Sequence, residues 1–324
     1  MHWTNALDLK SSVKLCYNII RAPVAQRIRV LGFEPSGHRF EPCRVYQILF
    51  MTKQPKQVGP RELNGRELVG FIKERQAHQV RGLRQHFKVV PKLAIITTID
   101  SPVIDLYVRL KCNYAADIAV ETEVYRTTSQ AVGDLLAQLN ADPSVKGIIV
   151  QLPLDDPAQT DAVVNLITPE NDVDGLGQNA KWDSATATAI NWLLAGYNVN
   201  LSDKRLALVG NGRLVGAPLL KMWRNSGLDV TVYDESTTNK LATELIDYDV
   251  IVSAAGVPGL IKSEMLRSGA VVVDAGTASE GGKVVGDLDP AARQRSDLTV
   301  TPEKGGVGPL TIAALLDNVI RASY

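Results

Sequence analysis

The chain has 324 residues, of which 45% are hydrophobic and 22% are charged, and this is enough apolar material for two cores of ordinary size. Its 35 basic and 35 acidic residues cancel, so no overall positive field exists to hold nucleic acid or an anionic membrane surface. We therefore expect two domains, with neither a nucleic-acid nor a membrane partner.

The cysteines indicate a reducing compartment. Cys16, Cys43 and Cys112 are too few and too scattered for a disulfide framework, and no Cys/His cluster has metal-ligand spacing. No apolar run reaches the roughly 18 to 20 residues of a membrane helix, and the N-terminus lacks the apolar core of a signal peptide. The sequence thus predicts a cytoplasmic protein without a metal site.

Residues 1–50 have little hydrophobic periodicity. Residues 39–43, RFEPC, can be encoded by AGG TTC GAA CCC TGT, which contains the TTCGAACC pattern of a transfer-RNA T-loop. We interpret residues 1–57 as an extension that is disordered or results from a start assigned too early, and we predict Met51 as the true start. A targeting segment is the alternative, because the stretch is partly basic and poor in acids.

From there the chain alternates helix and strand patterns, which predicts mostly parallel sheets covered on both faces. The first alternation consists of a helix at 63–85, a strand at 92–97, a helix at 106–116, a strand at 124–127, a helix opened by Thr128 or Ser129, and a strand at 147–150. The second consists of strands at 206–209, 230–233, 250–253, 271–274 and 298–300, followed by a closing helix at 310–322.

A glycine-rich loop follows the first strand of the second alternation. Its residues Gly210, Asn211, Gly212 and Gly216 lie between a strand and a helix predicted at 217–223, where glycines allow close backbone approach and amides face a pyrophosphate. A purely structural tight turn is the alternative. The loop predicts a doubly wound Rossmann domain that binds NAD or NADP.

Asp234 follows the next strand, where an acidic side chain can hydrogen-bond both ribose hydroxyls. Its carboxylate would repel a 2′-phosphate, and residues 234–238 contain no Arg or Lys to receive one. We therefore predict NAD over NADP. The alternative is a solvated acid at the end of a strand. Thr277 completes the predicted cofactor-binding set.

Several motifs together resemble the methylenetetrahydrofolate dehydrogenase/cyclohydrolase family. Tyr107 and Lys111 share a helix face, and Gln151 stands at the end of a buried strand within QLPL. DVDG at 172–175 and GGVGPLT at 305–311 follow in the family's order. LNG at 63–65, GVPG at 256–259 and Gly286-Asp287 extend the resemblance over residues 63–322.

The resemblance implies roles for these residues. Lys111 is expected to be the central catalytic group, tuned by Gln151, while Tyr107 stacks on and orients the folate. Asp174 is expected to grip the pterin, and Pro309 and Thr311 to form the wall where folate and nicotinamide meet. For Pro309 and Thr311 an ordinary helix start is the alternative.

The resemblance also implies a fold and a reaction. We expect a folate-binding N-terminal α/β catalytic domain at 58–184, a C-terminal Rossmann NAD(P)-binding domain at 185–309, and a last helix, 310–324, that returns to the catalytic domain. The expected reaction is oxidation of 5,10-methylenetetrahydrofolate by hydride transfer, then hydrolysis of the methenyl product to 10-formyltetrahydrofolate. A homodimer is implied by the family alone.

The chain departs from the family pattern around the cofactor and the folate. Ile104 stands where the family usually has serine, Gly212 also replaces a serine, and Asp234 replaces a basic residue or histidine. The loop after DVDG, residues 176–189, is shortened, and Glu303 and Lys304 add charges. Alternatives are therefore a dehydrogenase with negligible hydrolysis, a shikimate-type dehydrogenase, or a folate- or NAD-binding regulatory protein without turnover.

Overall fold

The computed structural model describes residues 60–280 and 283–324. The predicted extension at 1–57 and the predicted start at Met51 lie outside these residues. Within the described ranges, no helix is both long enough and apolar enough to cross a membrane.

The first half of the described chain builds a small parallel sheet. Its elements are β1 (Arg61–Glu62), α1 (Gly65–Gly82), β2 (Lys92–Thr97), α2 (Pro102–Asp117), β3 (Glu121–Arg126), α3 (Val132–Ala141), β4 (Gly147–Val150) and α4 (Thr160–Val164). The order in the sheet is β3-β2-β4, and both pairings are parallel, as the sequence predicts. A π-helical segment, Leu83–Phe87, continues α1.

One face of this sheet is a closed apolar core. Ala94 and Ile96 of β2 and Ile148 of β4 pack against Val132 and Leu136 of α3. The regular helix α3 begins at Val132, and residues 128–131 form the turn that leads into it. The carbonyl of Thr128 accepts the N–H of Val132 at 3.0 Å and its hydroxyl accepts the N–H of Ala131 at 3.4 Å, so the predicted opening at Thr128 lies one turn before the helix. The N–H of Ser129 donates to the Asp155 carboxylate at 3.0 Å.

The second half builds a larger parallel sheet. Its elements are α5 (Ala185–Gly196), β5 (Leu206–Val209), α6 (Gly216–Asn225), β6 (Val230–Tyr233), α7 (Leu241–Glu244), β7 (Val250–Ser253), β8 (Val271–Asp274), β9 (Ala278–Glu280), β10 (Lys283–Val285), β11 (Thr299–Val300) and α8 (Val307–Arg321). The strand order β1-β11-β8-β7-β5-β6 reverses direction at β5, as in a doubly wound fold. Strands β9 and β10 form a separate antiparallel pair.

Strand β1 joins the two halves. It comes before the small sheet in the chain, yet Arg61 pairs with Thr299 and Glu62 with Val300 at the edge of the large sheet. Its two residues are exposed and lack apolar alternation, so the sequence pattern contains no signal for this strand.

Helix α8, at the end of the chain, packs against helices of both halves. It packs on α1, α2 and α5. The side chain of Gln76 on α1 donates to the carbonyl of Ala313 at 2.8 Å. Asn318, which is 4% exposed, donates to the carbonyl oxygens of Val173 at 2.9 Å and Asp183 at 3.0 Å. The loop with the DVDG motif is therefore anchored on α8.

The start of α1 lies against the loop before α8. A Cβ at Gly65 would be 1.9 Å from the carbonyl oxygen of Gly306, so only glycine fits there. The N–H of Arg66 donates to the carbonyl of Gly305 at 3.2 Å. The LNG and GGVGPLT motifs, which are far apart in the sequence, thus contact each other.

Replacing Asn318 with alanine should destabilise the protein. Both carbonyl acceptors of its amide would lose a buried partner, which costs about 1–3 kcal/mol. Chemical denaturation would measure this loss. Asn113→Ala is the matched control because Asn113 is an exposed helix residue, and its change should stay within about 0.5 kcal/mol. Equal effects of both variants would contradict the anchoring role.

Candidate active site

Helix α2 carries the predicted catalytic lysine to the carboxyl edge of the small sheet. Ile104 and Val108 are 6% and 7% exposed and fix the inner side of the helix. Tyr107 and Lys111, one turn apart on the same face, are both half-buried. The amine of Lys111 donates a hydrogen bond of 2.6 Å to Oε1 of Gln151. The structure therefore brings together two residues that the sequence places 40 positions apart.

Gln151 is held by the sheet. It directly follows β4, and its backbone N–H donates to the carbonyl of Ile96 in β2 at 2.8 Å. Its side-chain Nε2 donates to the carbonyl of Leu152 at 3.2 Å, so Oε1 faces Lys111. The partner of the lysine is thus an uncharged acceptor with a fixed orientation.

Burial shifts the pKa of Lys111 and the pKa of Asp174 in opposite directions. Burial lowers the pKa of Lys111, and the nearby Asp174 carboxylate opposes that lowering. Burial likewise raises the pKa of Asp174, and the attraction of Lys111 opposes that rise. Desolvation is the larger cause for both groups, so each is shifted toward its neutral form.

The DVDG turn positions Asp174 through its other aspartate. Asp172 is 2% exposed, and its carboxylate accepts the N–H groups of Gly175 at 3.1 Å and Gly177 at 2.7 Å. Gly175 has a φ of 70°, and a Cβ there would lie 2.7 Å from the N of Ser184. Sequence reasoning missed this role of Asp172. The sequence signal was an aspartate at 172 followed by glycines at 175 and 177.

The glycine-rich loop forms a tight cradle at the carboxyl end of β5. Gly210 has a φ of 92° and donates its N–H to the carbonyl of Tyr233 at 2.7 Å. A Cβ at Gly216 would lie 2.0 Å from the carbonyl oxygen of Gly210, so helix α6 begins directly against the loop. Asn211 and Gly212 are exposed, which leaves their backbone open to a ligand.

Asp234 directly follows β6 and Thr277 lies between β8 and β9, and both residues are exposed. The Oδ1 of Asp234 accepts hydrogen bonds from the N–H of Ser236 at 3.0 Å and from the hydroxyls of Ser236 at 2.6 Å and Thr237 at 3.1 Å. The Ser236 and Thr237 side chains lower the pKa of Asp234, so the carboxylate is ionised at neutral pH.

Pro309 and Thr311 lie in the first turns of α8. This location fits the predicted folate wall, and it fits equally the alternative that both residues only form an ordinary helix start. The Thr311 hydroxyl donates to the carbonyl of Val307 at 3.4 Å. Among the residues that the structure describes, no hydrogen bond joins these two residues to Lys111 or Gln151. Their contact with the folate stays a prediction.

An ion pair connects the glycine-rich loop to the first half of the chain. Arg213 of the loop pairs with Asp161 of α4. The glycine-rich loop therefore lies beside α4 of the first half. In residues 60–280 and 283–324, no group of three or more His, Cys, Asp or Glu side chains is arranged to hold a metal ion.

A doubly wound sheet with a glycine-rich loop, joined to a smaller α/β unit that holds a half-buried lysine, defines a two-domain dinucleotide-dependent enzyme. Models of the tetrahydrofolate dehydrogenase/cyclohydrolase family match this chain: the catalytic domain matches residues 63–174 and the NAD(P)-binding domain matches residues 184–324. The chain belongs to this family. It is a methylenetetrahydrofolate dehydrogenase and methenyltetrahydrofolate cyclohydrolase, as the sequence motifs predict.

Individual relatives agree with the family match. The bifunctional protein FolD of Francisella tularensis subsp. holarctica is 33% identical over 275 residues, which cover 81% of this chain and 97% of the relative. The crystal structure of FolD from Campylobacter jejuni is 31% identical, with a TM-score of 0.75, and the match covers 81% of this chain and 97% of that one. The Trypanosoma brucei enzyme, complexed with NADP and inhibitor, is 29% identical, with a TM-score of 0.76 and coverage of 82% and 98%.

Substituting Gly216→Ala should impair nucleotide binding selectively. The new methyl group would overlap the Gly210 carbonyl, and such overpacking costs about 1–3 kcal/mol, so dinucleotide affinity should fall about tenfold or more. Titration calorimetry with NAD measures this. Gly70→Ala is the control, since that glycine is exposed in α1 with open space around it. Wild-type affinity in Gly216→Ala would contradict a role of the glycine-rich loop in dinucleotide binding.

Proposed function

We propose that Lys111 is the group that exchanges protons with water and the folate during hydrolysis, and that Gln151 positions its amine. The observation that carries this proposal is the 2.6 Å hydrogen bond between Lys111 Nζ and Gln151 Oε1, combined with the lowered pKa of Lys111. A neutral partner orients the amine without stabilising its charged form, whereas a carboxylate in that position would keep the lysine protonated.

In the proposed hydrolysis, the neutral Lys111 amine takes a proton from a water whose oxygen forms a bond to the methenyl carbon. The resulting intermediate loses its bond between that carbon and the ring nitrogen. Lys111 returns the proton to this nitrogen while the hydroxyl proton leaves to solvent, which gives 10-formyltetrahydrofolate. One residue therefore acts first as a base and then as an acid.

The dehydrogenation requires mainly positioning. The bound dinucleotide would supply the acceptor for the hydride of the methylene group, and the chain contributes orientation and exclusion of water. We assign Tyr107 to stacking on the folate, Asp174 to the pterin, and Pro309 and Thr311 to the wall between folate and nicotinamide. The location of Tyr107 beside Lys111, and the charge coupling of Asp174 to Lys111, support this assignment.

We further propose NAD as the preferred cofactor. Gly210, Gly212 and Gly216 would hold the pyrophosphate, while Asp234 and Thr277 would lie near the ribose and nicotinamide halves. The ionised Asp234 carboxylate supports the preference because it repels a 2′-phosphate. No metal is assigned to the reaction.

The remaining assignments follow the family. We propose a folate-binding domain at 58–184, completed by the helix at 310–324, and a dinucleotide-binding domain at 185–309. The cap of α5 at Ser184 supports a boundary there. A cytoplasmic homodimer in one-carbon metabolism that supplies purine biosynthesis completes the proposal, and sedimentation equilibrium of the purified chain tests the dimer.

The variant Lys111→Met tests the proposed role of the lysine. It removes the proton-exchanging group, so hydrolysis should fall by about 10²- to 10⁴-fold while folate binding is largely retained. In the wild type, hydrolysis should rise with pH as Lys111 becomes neutral, and the variant should lose this rise. The measurement follows methenyl-folate absorbance after mixing with methenyltetrahydrofolate across pH.

Lys221→Met is the matched control, because Lys221 is exposed on α6 and should leave hydrolysis unchanged. Unchanged hydrolysis in Lys111→Met would remove the mechanism. A wild type that accumulates the methenyl product beyond spontaneous hydrolysis would instead favour a dehydrogenase alone. A wild type that binds folate but reduces neither dinucleotide would favour a regulatory binding protein.

Asp234→Asn tests the cofactor preference. Removing the negative charge should relieve repulsion of a 2′-phosphate, so the ratio of kcat/KM for NAD to that for NADP should fall about tenfold. Reduced nicotinamide absorbance with each cofactor measures both constants. Glu235→Gln, which changes the neighbouring exposed acid, should shift this ratio much less. A wild type that prefers NADP would refute the assignment of Asp234.

A further inference from the structure

Two buried carboxylates lie at the carboxyl ends of β7 and β8. Asp287 is 0% exposed, and the side chain of Asp274 is 3% exposed. The sequence contains Gly286-Asp287 and residues 256–259 as separate motifs. In the structure Asp287 binds directly to Val257, so the two motifs form a single unit.

Asp287 holds the loop after β7 through both of its carboxylate oxygens. Its Oδ2 accepts hydrogen bonds from the hydroxyl of Ser253 at 2.7 Å and from the N–H of Ala255 at 2.8 Å. Its Oδ1 accepts one from the N–H of Val257 at 2.8 Å. Because the donors include two backbone amides, the path of residues 254–257 depends on the position of this carboxylate.

The loop at 254–257 touches both loops that are proposed to bind the dinucleotide. A Cβ at Gly210 would lie 2.6 Å from the carbonyl carbon and oxygen of Ala254, so the two backbones are in close contact. A Cβ at Gly256 would lie 3.5 Å from the carbonyl oxygen of Thr277. A displaced 254–257 loop would therefore disturb both the glycine-rich loop at Gly210 and the segment at Thr277.

The carboxylate of Asp287 has little freedom to move. The carboxylate of Asp274 accepts the N–H groups of Asp287 and Leu288, both at 3.0 Å, and pairs with Arg293. A Cβ at Gly276 would lie 2.1 Å from Oδ1 of Asp287. Asp274 thus fixes the backbone of Asp287. The space where a side chain at Gly276 would lie is filled by the Asp287 carboxylate.

We propose that Asp287 is a positioning residue for dinucleotide binding. Its carboxylate fixes the conformation of the 254–257 loop and thereby sets the affinity for the cofactor. The inference rests on the proposed binding of the dinucleotide beside Gly210 and Gly216. Asp287 is 0% exposed, so it acts through Ala255 and Val257 and not by contact with the cofactor.

Asp287→Asn in the full chain tests the inference. The amide has only one acceptor oxygen, so one of the three donors from Ser253, Ala255 and Val257 would face an NH₂ group. The dissociation constant of NAD, measured by titration calorimetry, should rise about tenfold or more. Hydrolysis of methenyltetrahydrofolate, measured without dinucleotide, should remain within about twofold of the wild type, a split that general loss of structure would not produce.

Two further variants keep the test decisive. Asp289→Asn changes a nearby carboxylate that binds Lys262 and the N–H of Ala291, and it should leave the NAD constant unchanged. Ser253→Ala removes one donor to Asp287 and should raise the NAD constant by about two- to fivefold. If Asp287→Asn does not fold, Ser253→Ala decides, and an unchanged NAD constant there overturns the inference.

Parallel losses of NAD binding and hydrolysis in Asp287→Asn would also overturn it, because they would indicate a purely structural role. A wild type that binds neither NAD nor NADP would instead refute the proposed cofactor site, and with it the inference. Wild-type binding with unaffected variants refutes the inference alone.

Discussion

The hydrogen bond between Lys111 and Gln151 depends on how the small sheet is built. Parallel strands end at one edge, and the register of β2 with β4 holds the backbone of Gln151 while its amide faces α2. The helix can meet this amide only because Ile104 and Val108 bury its inner side. Displacing either element by one residue would separate the two groups. Sheet register and helix packing are thus requirements of this contact as well as of stability.

The two halves of the chain are joined at several independent places. Strand β1 pairs with β11, α8 packs on α1, and Gly65 meets Gly306 with no space for a side chain. The ion pair of Arg213 with Asp161 adds an exposed contact, which is worth little by itself. Backbone pairing and close packing therefore make up most of the junction between the two halves.

Hydrophobic patterning predicts most of this fold because buried parallel strands are continuous apolar runs. Strands β2, β4, β5, β6, β7 and β8 coincide with their predicted bounds. Strand β1 could not be predicted, since its stability comes from backbone pairing with a strand far away in the sequence. The predicted opening of α3 at Thr128 or Ser129 falls on the turn before the helix, where Thr128 accepts the N–H groups of Ala131 and Val132.

The sequence predicted only part of the candidate site. Lys111 and Gln151 were paired through the family resemblance, and the structure adds the contact between them. The roles of Asp172 and Asp287 were missed, because each aspartate holds backbone amides and not a ligand. Hydrogen bonds from backbone N–H groups to a buried carboxylate produce no hydrophobic periodicity in the sequence. Glycines close to the acid, in the sequence or in the structure, are the signal that remains.

The departures from the family pattern have structural consequences that differ from what their chemistry suggests. Ile104, where the family usually has serine, is 6% exposed and packs into the inner side of α2, so the exchange adds core contact and removes a hydroxyl. Glu303 and Lys304 are both exposed, so solvent screens their charges from the site. Asp234 is also exposed and charged, but unlike these three residues it directly follows β6, whose Tyr233 carbonyl accepts the N–H of Gly210 in the glycine-rich loop. Among these departures, Asp234 is therefore the one whose position supports the proposed preference for NAD.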